Sequence, residues 1–379
     1  MKKKAISLFA GAGGLDIGIK KAGFDVKLAV EIEPTYCETL QTNFPYLTVK
    51  QGNVMDYCRE RLYEEAGLSE DEELDLFIGG SPCQSFSTAG KRQAFEDPRG
   101  QAMIKFADLV QEVQPKVFLL ENVRGLLSSA LKHVPINERG KRPLEPDEQQ
   151  GSAFRHILEH FGNYKVSVEL LNAANYGVAQ TRERVFIVGV RNDLNTEFKF
   201  PEPTHDKNGS DGKKLWRTVG DVLSELQIEK HTHVNYSADR LKWMKMIPQG
   251  GGNWRDLRQF GEEIVKEAMG GAYKSGGGKV GFFRRIDVKK PAPTLLTSPA
   301  QKSTNLGHPY EDRPLSIQEY LAIQEFPEDY YVAGTLTQQY TQIGNAVPTR
   351  LAQVLGESIH EMLDNIETSE REIVKDMVI

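Results

Sequence analysis

The chain has 379 residues, of which 39% are hydrophobic and 26% charged, a composition typical of a folded protein with two or three domains. No apolar run approaches the roughly 18 residues of a membrane span, and the first residues lack the apolar stretch of a secretory signal. The three cysteines include no CxxC pair, which excludes a disulfide framework and a Cys-rich zinc site. We therefore expect a cytoplasmic protein with no membrane association and no metal.

The formal net charge is −6, from 47 basic and 53 acidic residues, which argues against a general affinity for nucleic acids. The distribution is uneven, because residues 236–302 contain 13 Lys and Arg against 6 Asp and Glu. That segment carries +7 and the remainder of the chain −13. Charge runs of this kind are most often solvated surfaces, so a binding role needs further support.

Short apolar runs alternate with longer amphipathic stretches in the first half of the chain, the pattern of a parallel sheet covered by helices on both faces. Helices are predicted at residues 15–22 and 35–44, the second from apolar or aromatic residues at every fourth position. The predicted strands are residues 5–9, 26–31, 74–78, 117–121, 166–171 and 184–190. The pattern predicts a doubly wound, mostly parallel α/β sheet of the Rossmann-like type.

This alternation stops after residue 190. Pro201, Pro203 and the polar run 206–212 mark a linker, and glycines interrupt the basic segment between residues 250 and 278. A second, smaller and loop-rich unit is predicted from residue 192 onward, with helical periodicity returning after residue 313.

The first predicted strand runs into Gly11, Gly13 and Gly14 and then into a helix, an arrangement that brings backbone N–H groups close to a nucleotide. The third glycine of a dinucleotide fingerprint would fall at Asp16, so NAD is the weaker option. Glu31 follows about 20 residues later, where a carboxylate accepts hydrogen bonds from a ribose. These features favour an adenosyl ligand without a pyrophosphate, with a ligand-free tight turn as the alternative.

The strand at 74–78 leads into a polar, glycine-flanked loop that holds Cys83. Open parallel sheets place their chemistry at the carboxyl ends of strands, so this thiol is a candidate nucleophile. Cys37 and Cys58 suit an inert role instead.

Two further strand ends carry charged residues. The strand at 117–121 ends in Glu121, which could act with Cys83 or form a hinge ion pair. Arg182 and Arg184 alternate with Glu183, which predicts that both arginines lie on one face. Salt bridging and recognition of an anion or carbonyl are the two options for them.

Seven short motifs follow one another along nearly the whole chain: Phe9-x-Gly11-x-Gly13, Glu31, Pro82-Cys83-Gln84, Glu121-Asn122-Val123, Gln180-x-Arg182-x-Arg184, Arg313-x-Leu315-Ser316-x-x-Glu319 and Gln342-x-Gly344-Asn345-x-Val347-Pro348. In this order they resemble the motifs of the C5-cytosine DNA methyltransferase family, in particular its bacterial restriction-modification members. The resemblance implies a SAM-methyltransferase sheet, S-adenosylmethionine (SAM) as methyl donor, and a cytosine flipped out of double-stranded DNA as acceptor.

The resemblance assigns the nucleophile to Cys83, which would add to C6 of cytosine because carbon 5 alone is a poor nucleophile. Glu121 would neutralise the charge that develops on N3, and Arg182 would hold O2. We hypothesise that Arg182 or the substrate phosphate activates the thiol. The implied catalytic set also contains Gln84 and Arg184.

The resemblance further implies two binding sets. The residues expected to contact SAM and its product S-adenosylhomocysteine are Phe9, Gly11, Gly13, Gly14, Leu15, Glu31, Ile32, Asn53, Val54, Pro82, Asn345, Ala346 and Val347. The residues expected to contact DNA are Ser85, Ser87, Lys91, Arg92, Arg99, Lys274, Lys279, Arg284 and Arg285. The first five of these lie in a segment that resembles the family's mobile loop.

The basic segment thereby acquires a role, because residues 192–335 occupy the position of the family's target-recognition domain and hinge. The last motif resembles the segment that returns to the catalytic domain. We therefore expect residues 336–379 to complete a catalytic domain formed by residues 1–191. Asn53 stands where the family usually has Asp, and Gln318 and Ala322 stand where Arg is common.

Two alternatives stay open. A tRNA cytosine-5 methyltransferase needs the same catalytic groups, although the long recognition segment favours duplex DNA. An inactive DNA-binding homologue is the other, although Cys83 and Glu121 are both intact. By analogy with stand-alone family members we expect a monomer in a prokaryotic or phage setting, paired with a restriction endonuclease that acts separately.

Overall fold

The computed structural model describes residues 2–82, 98–134, 138, 140–276 and 279–378. It separates into two units. The first comprises Met1–Asn172, Glu183–Glu202 and Leu351–Ile379, and the second comprises Ala173–Arg182 and Pro203–Arg350. The sequence boundaries at residues 191 and 336 differ from this division, because residues 173–182 and 336–350 belong to the second unit.

The regular elements among the described residues are as follows. The strands are β1 (Lys4–Leu8), β2 (Asp25–Glu31), β3 (Thr48–Gln51), β4 (Leu76–Gly80), β5 (Val117–Val123), β6 (Tyr164–Asn172), β7 (Gln180–Thr181), β8 (Glu183–Arg191), β9 (His205–Asp206), β10 (Lys214–Leu215) and β11 (Ala292–Pro293). The helices are α1 (Gly14–Lys21), α2 (Pro34–Asn43), α3 (Arg59–Ala66), α4 (Pro98–Val113), α5 (Ser152–Glu159), α6 (Val219–Glu225), α7 (Ala238–Met244), α8 (Glu262–Met269), α9 (Ile317–Ile323), α10 (Leu336–Asn345) and α11 (Thr349–Val378).

The first unit is built on one sheet with the strand order β3-β2-β1-β4-β5-β8-β6. Strands β1 to β5 run parallel, β8 is antiparallel to β5, and β6 is antiparallel to β8. The predicted mostly parallel α/β fold is confirmed. Strand β3 was not among the predicted strands, because its four residues are half-buried or exposed and form no apolar run.

Aromatic packing fills the core under the centre of this sheet. The ring of Phe118, on β5, stacks on Phe161 with centroids 4.3 Å apart. A Cβ at Gly189, its partner on β8, would lie 2.0 Å from the same ring, so only glycine leaves room for it.

The carboxyl-terminal helix α11 completes the first unit by packing on α1. A Cβ at Gly18 would lie 2.4 Å from the Cβ of Ala352, and one at Gly356 would lie 2.7 Å from that of Ala22. Two glycines therefore allow the helices to approach closely. The unit is discontinuous in sequence, and its last segment starts at residue 351.

The second unit has short elements and long connections, as expected for a loop-rich domain. Strand β7 pairs in parallel with β11, which explains why residues 173–182 belong here. The rings of Tyr320 on α9 and Tyr340 on α10 meet edge to face at 4.9 Å, so α10 belongs here as well. A separate apolar cluster surrounds Trp243 and Trp254. No helix in the described part of the chain is long and apolar enough to cross a membrane.

Candidate active site

The loop after β1 has the backbone geometry of a ligand cradle. Gly11 and Gly13 have φ values of 57° and 75°, in the left-handed region, and Gly13 is the residue before α1. Phe9 shares this region with φ 56°, which is uncommon for a residue with a side chain. The chain thus turns sharply and presents the start of α1, including Gly14, at the carboxyl edge of the sheet.

The carboxylate of Glu31 fixes this loop to the end of β2. Its Oε2 accepts the backbone N–H of Gly11 at 2.8 Å. Its Oε1 accepts those of Ile32 and Glu33 at 2.8 and 3.0 Å. Burial raises the pKa of Glu31, and the three N–H donors oppose that rise. Glu31 therefore shapes the loop, and any ribose contact would be additional to this role.

Exposed apolar side chains lie next to these strand ends. Ile32 and Met55 are exposed large hydrophobic residues, whereas Val54 is buried. The N–H of Gly52 donates to the carbonyl of Glu31 at 2.9 Å, so the segments after β2 and β3 are joined. Glycine backbone, a carboxylate and apolar surface fit the parts of an adenosyl ligand.

The side-chain oxygen of Asn53 already has one partner. It accepts the backbone N–H of Met55 at 3.1 Å and caps the short 3₁₀ helix Val54–Asp56. An adenine amino group would share this oxygen, which has two lone pairs.

The remaining residues of the predicted SAM set are distributed over both units. Leu15 is buried in α1, and Pro82 is half-buried as the last described residue before position 98. Asn345, the last residue of α10, is exposed, and the next two residues, Ala346 and Val347, are half-buried and buried. All three lie in the second unit.

A buried ion pair joins the carboxyl end of β5 to β8. The Nε of Arg184 lies 2.9 Å from Oε1 of Glu121, with 13% and 9% of the two side chains exposed. Nη1 of Arg184 also donates to the carbonyl of Glu183 at 2.8 Å. Gly80, the last residue of β4, pairs with Glu121, and a Cβ there would lie 3.3 Å from its Oε2. The strand that leads to Cys83 therefore ends beside this carboxylate.

Asn122 fixes the start of the loop after β4. Its Nδ2 donates to Oγ of Ser81 at 2.9 Å and to the Ser81 carbonyl at 3.3 Å. Its Oδ1 accepts the N–H of Val123 at 2.8 Å. The sequence identified Asn122 only as part of a motif, and the structure gives it a positioning role.

Outside the described residues lie Cys83, Gln84, Ser85, Ser87, Lys91 and Arg92. Arg99 lies in the first turn of α4, and only its backbone is described.

The surroundings of Arg182 differ from the expectation that it holds the cytosine O2 or activates Cys83. Its side chain is fully buried in the second unit. Nη1 donates to the carbonyls of Leu295 and Gly344 at 3.3 and 2.9 Å, and Nη2 to that of Asn345 at 3.0 Å. Arg182 stands at the break between β7 and β8, so strand alternation does not align it with Arg184. We correct its assignment to a structural one.

Replacing Arg182 by Leu is expected to destabilise the second unit by about 3 kcal/mol, because three backbone carbonyls would lose a donor, two of them in buried hydrogen bonds. All three tryptophans of the chain, Trp216, Trp243 and Trp254, lie in this unit, so urea unfolding followed by their fluorescence reports on it directly. The exposed Lys274, replaced by Leu, is the control. Equal midpoints for the two variants would contradict the structural role.

Arg285 is a second correction. It was expected to contact DNA, but it is buried and donates to the carbonyls of Met244, Ile247 and His308 at 2.9, 3.2 and 3.2 Å. A composition-based charge count cannot distinguish such a structural arginine from an exposed one.

The other predicted basic residues differ in exposure. Arg284 is half-buried, donates to the carbonyl of Asn305 at 3.1 Å, and has its pKa lowered by burial. The Nζ of Lys279 donates to the carbonyl of Tyr273 at 2.6 Å, and Lys274 is exposed. Lys274 is thus the most accessible of the four to a DNA phosphate.

The helix α9 is anchored despite its departures from the family pattern. Arg313 binds Glu319 through two hydrogen bonds of 2.9 and 2.8 Å. The Oε1 of Gln318 accepts the backbone N–H of Thr232 at 3.0 Å, while Ala322 is half-buried. Gln318 therefore supplies support at a position where the family commonly has Arg.

A family model described as C-5 cytosine-specific DNA methylase matches residues 3–361. The chain belongs to this family. The methylase is 39% identical to the type II methyltransferase M.Sau96I of Staphylococcus aureus over 360 residues, which cover 94% of this chain and 75% of the relative. It is 38% identical to M.Eco47II of Escherichia coli, covering 95% and 79%.

The fold of the methylase is also similar to that of a solved structure. It is described as a candidate DNA modification methyltransferase encoded within a prophage of E. coli. The methylase superposes on it with a TM-score of 0.63 and 25% identity, covering 96% of this chain and 99% of that one.

The two described cysteines of the methylase differ in exposure. Cys37 is buried, and burial raises the pKa of its thiol to about 11. Cys58 is exposed at the start of α3. Within the described ranges, no group of His, Cys, Asp and Glu is arranged to hold a metal ion.

Asp16 is a buried carboxyl group next to the glycine loop. Burial raises its pKa from 3.8 to about 6, and the Ser7 hydroxyl opposes the rise. Because the folded state binds the proton more tightly, the parent loses stability as pH rises from about 4 through 6. Asp16→Asn removes this loss, so the stability advantage of the variant should grow by about 2 kcal/mol over that window. Urea unfolding at pH 4, 6 and 8 measures it. A pH-independent difference would contradict the assignment.

Proposed function

We propose that this methylase transfers a methyl group from SAM to carbon 5 of a flipped-out cytosine in a specific duplex DNA sequence, through a covalent bond between Cys83 and C6. Family membership and the type II relatives support DNA cytosine-5 methylation over the tRNA alternative. The observation that carries the residue assignment is the buried Glu121–Arg184 pair beside the end of β4.

The first step is addition of the Cys83 thiolate to C6, which moves electron density onto N3 and activates C5. Glu121, protonated or sharing a proton with N3, neutralises that charge. Arg184 orients Glu121 through Nε, and we assign to it the recognition of O2 that the resemblance implied for Arg182. The carbonyl of Glu183 holds Arg184 in this position.

The cradle formed by the glycine loop, Glu31 and Ile32 is the proposed binding site for SAM, which would supply the methyl group and leave as S-adenosylhomocysteine. After C5 has accepted the methyl group, it gives up its proton to a base. The C6–S bond then breaks, the Cys83 sulfur leaves with the bonding electrons, and the aromatic ring is restored. N3 then returns its proton to Glu121, which regains its starting protonation state.

Flipping is required because C6 is unreachable in a stacked duplex, at a cost of a few kcal/mol. We assign target recognition to the second unit, with Lys274 and Lys279 among its phosphate contacts. Arg285 is not part of this surface, because its guanidinium is buried.

The decisive assay incubates the protein with labelled SAM and either duplex DNA or tRNA. Label in duplex DNA alone supports the proposal, label in tRNA alone would replace it, and label in neither would favour an inactive homologue. Bisulfite sequencing of DNA from cells that express the protein would then identify the methylated sequence. We further propose that the protein acts as a cytoplasmic monomer beside a separate restriction endonuclease.

A further inference from the structure

A second ion pair lies beside the first and is open to solvent. Arg124 follows β5 directly, and its Nη1 donates to Oε2 of Glu183 at 2.9 Å. The side chains are 68% and 44% exposed, in contrast to the buried Glu121–Arg184 pair. Both pairs bridge the same two regions of the sheet, because Val123 is the register partner of Arg184.

Glu183 connects the two pairs. Its carbonyl accepts Nη1 of Arg184, and its carboxylate accepts Nη1 of Arg124. One residue therefore holds the proposed catalytic arginine with its backbone and an exposed arginine with its side chain. The exposed arginine lies next to the site at which a flipped cytosine would react.

We infer that Arg124 binds a DNA phosphate adjacent to the flipped cytosine, and that Glu183 holds Arg124 in the free protein. The inference rests on the proposed function, since the phosphate belongs to the target strand. A nucleotide that enters the site brings its own phosphates with it, and these compete with the Glu183 carboxylate for the Arg124 guanidinium.

The energetics favour this exchange of partners. An ion pair this exposed is screened by solvent and adds little stability, so Arg124 leaves Glu183 at little cost. A guanidinium makes two parallel, charge-assisted hydrogen bonds to a phosphate, and neutralising that phosphate releases a bound counterion. Arg124 is thus better suited to the phosphate than to its intramolecular partner.

The test measures the affinity for the methylated target duplex by fluorescence anisotropy over a range of salt concentrations. Arg124→Gln should weaken binding about tenfold and reduce the slope of log K against log salt by about 0.9, while Arg124→Lys should keep the slope. SAM affinity should be unchanged. The control is Lys27→Gln, which removes an exposed pair with Asp25 of 2.7 Å near the amino end of β2.

Removing the carboxylate of Glu183, which competes for Arg124, gives a second and independent test. Glu183→Gln should tighten DNA binding about threefold, and this gain should disappear in the double variant that also carries Arg124→Gln. An unchanged salt slope in Arg124→Gln, or a gain from Glu183→Gln that persists without Arg124, would overturn the inference. Methyl transfer by the parent in the same preparation tests the proposed function separately, so the two failures are distinguishable.

Discussion

Glu121→Gln is expected to lower the rate of methyl transfer by about 100- to 10,000-fold, the range typical of a lost general acid. The amide cannot supply a proton to N3, so the charge created by thiolate addition stays on the ring. Arg184 would also lose the carboxylate that its Nε contacts at 2.9 Å. Single-turnover transfer from labelled SAM to the cognate duplex measures the effect without contribution from product release.

A matched control distinguishes chemistry from the loss of an ion pair. Asp75 pairs with Lys116 at 2.8 Å near the amino ends of β4 and β5, and both side chains are largely buried. Asp75→Asn should lower stability and leave the single-turnover rate within about twofold of the parent. A Glu121→Gln rate that falls no further than this control would remove Glu121 from the mechanism.

Cys83→Ala should abolish methyl transfer, with a loss of more than about 10,000-fold, because it removes the thiolate proposed to add to C6 and activate C5. SAM binding and DNA binding should persist, since neither depends on the new covalent bond. The same transfer assay measures the loss, and binding is followed by anisotropy and calorimetry.

The other two cysteines provide the controls for this variant. Cys58→Ser changes an exposed thiol and should retain parental activity. Cys37→Ser changes a buried thiol and should lower the stability of the protein more than its activity. Substantial activity in Cys83→Ala, or its loss in Cys58→Ser, would be inconsistent with the assignment of the nucleophile.

The local sequence pattern was sufficient to predict most of the sheet strands in the first unit. Apolar runs placed β1, β2, β5 and β8 within one or two residues, because these strands are buried in a mainly parallel sheet and read as continuous apolar segments. Strand β3 lies at the sheet edge with exposed residues and gave no such signal. The glycine loop and Glu31 were recognisable from spacing alone, but the three N–H groups that Glu31 accepts were not.

The two arginine assignments failed for a common physical reason. Arg182 and Arg285 bind backbone carbonyls from segments far away in the sequence, such as Gly344 for Arg182. Arginine is usually exposed, so no periodicity predicts its burial. The division into units differs from the predicted domain boundary for a similar reason. Strand β7 pairs with β11, which lies more than a hundred residues later in the chain.

Covalent catalysis by Cys83 is the central claim, and trapping the adduct tests it most directly. A target duplex with 5-fluorocytosine blocks release of the enzyme. Fluorine replaces the C5 hydrogen that must leave as a proton before the C6–S bond can break. With SAM present, the protein should form a denaturation-resistant complex whose mass and peptide map place one modified nucleotide on Cys83. An adduct on Cys37 or Cys58, or no adduct from a preparation that methylates the unmodified duplex, would contradict the account.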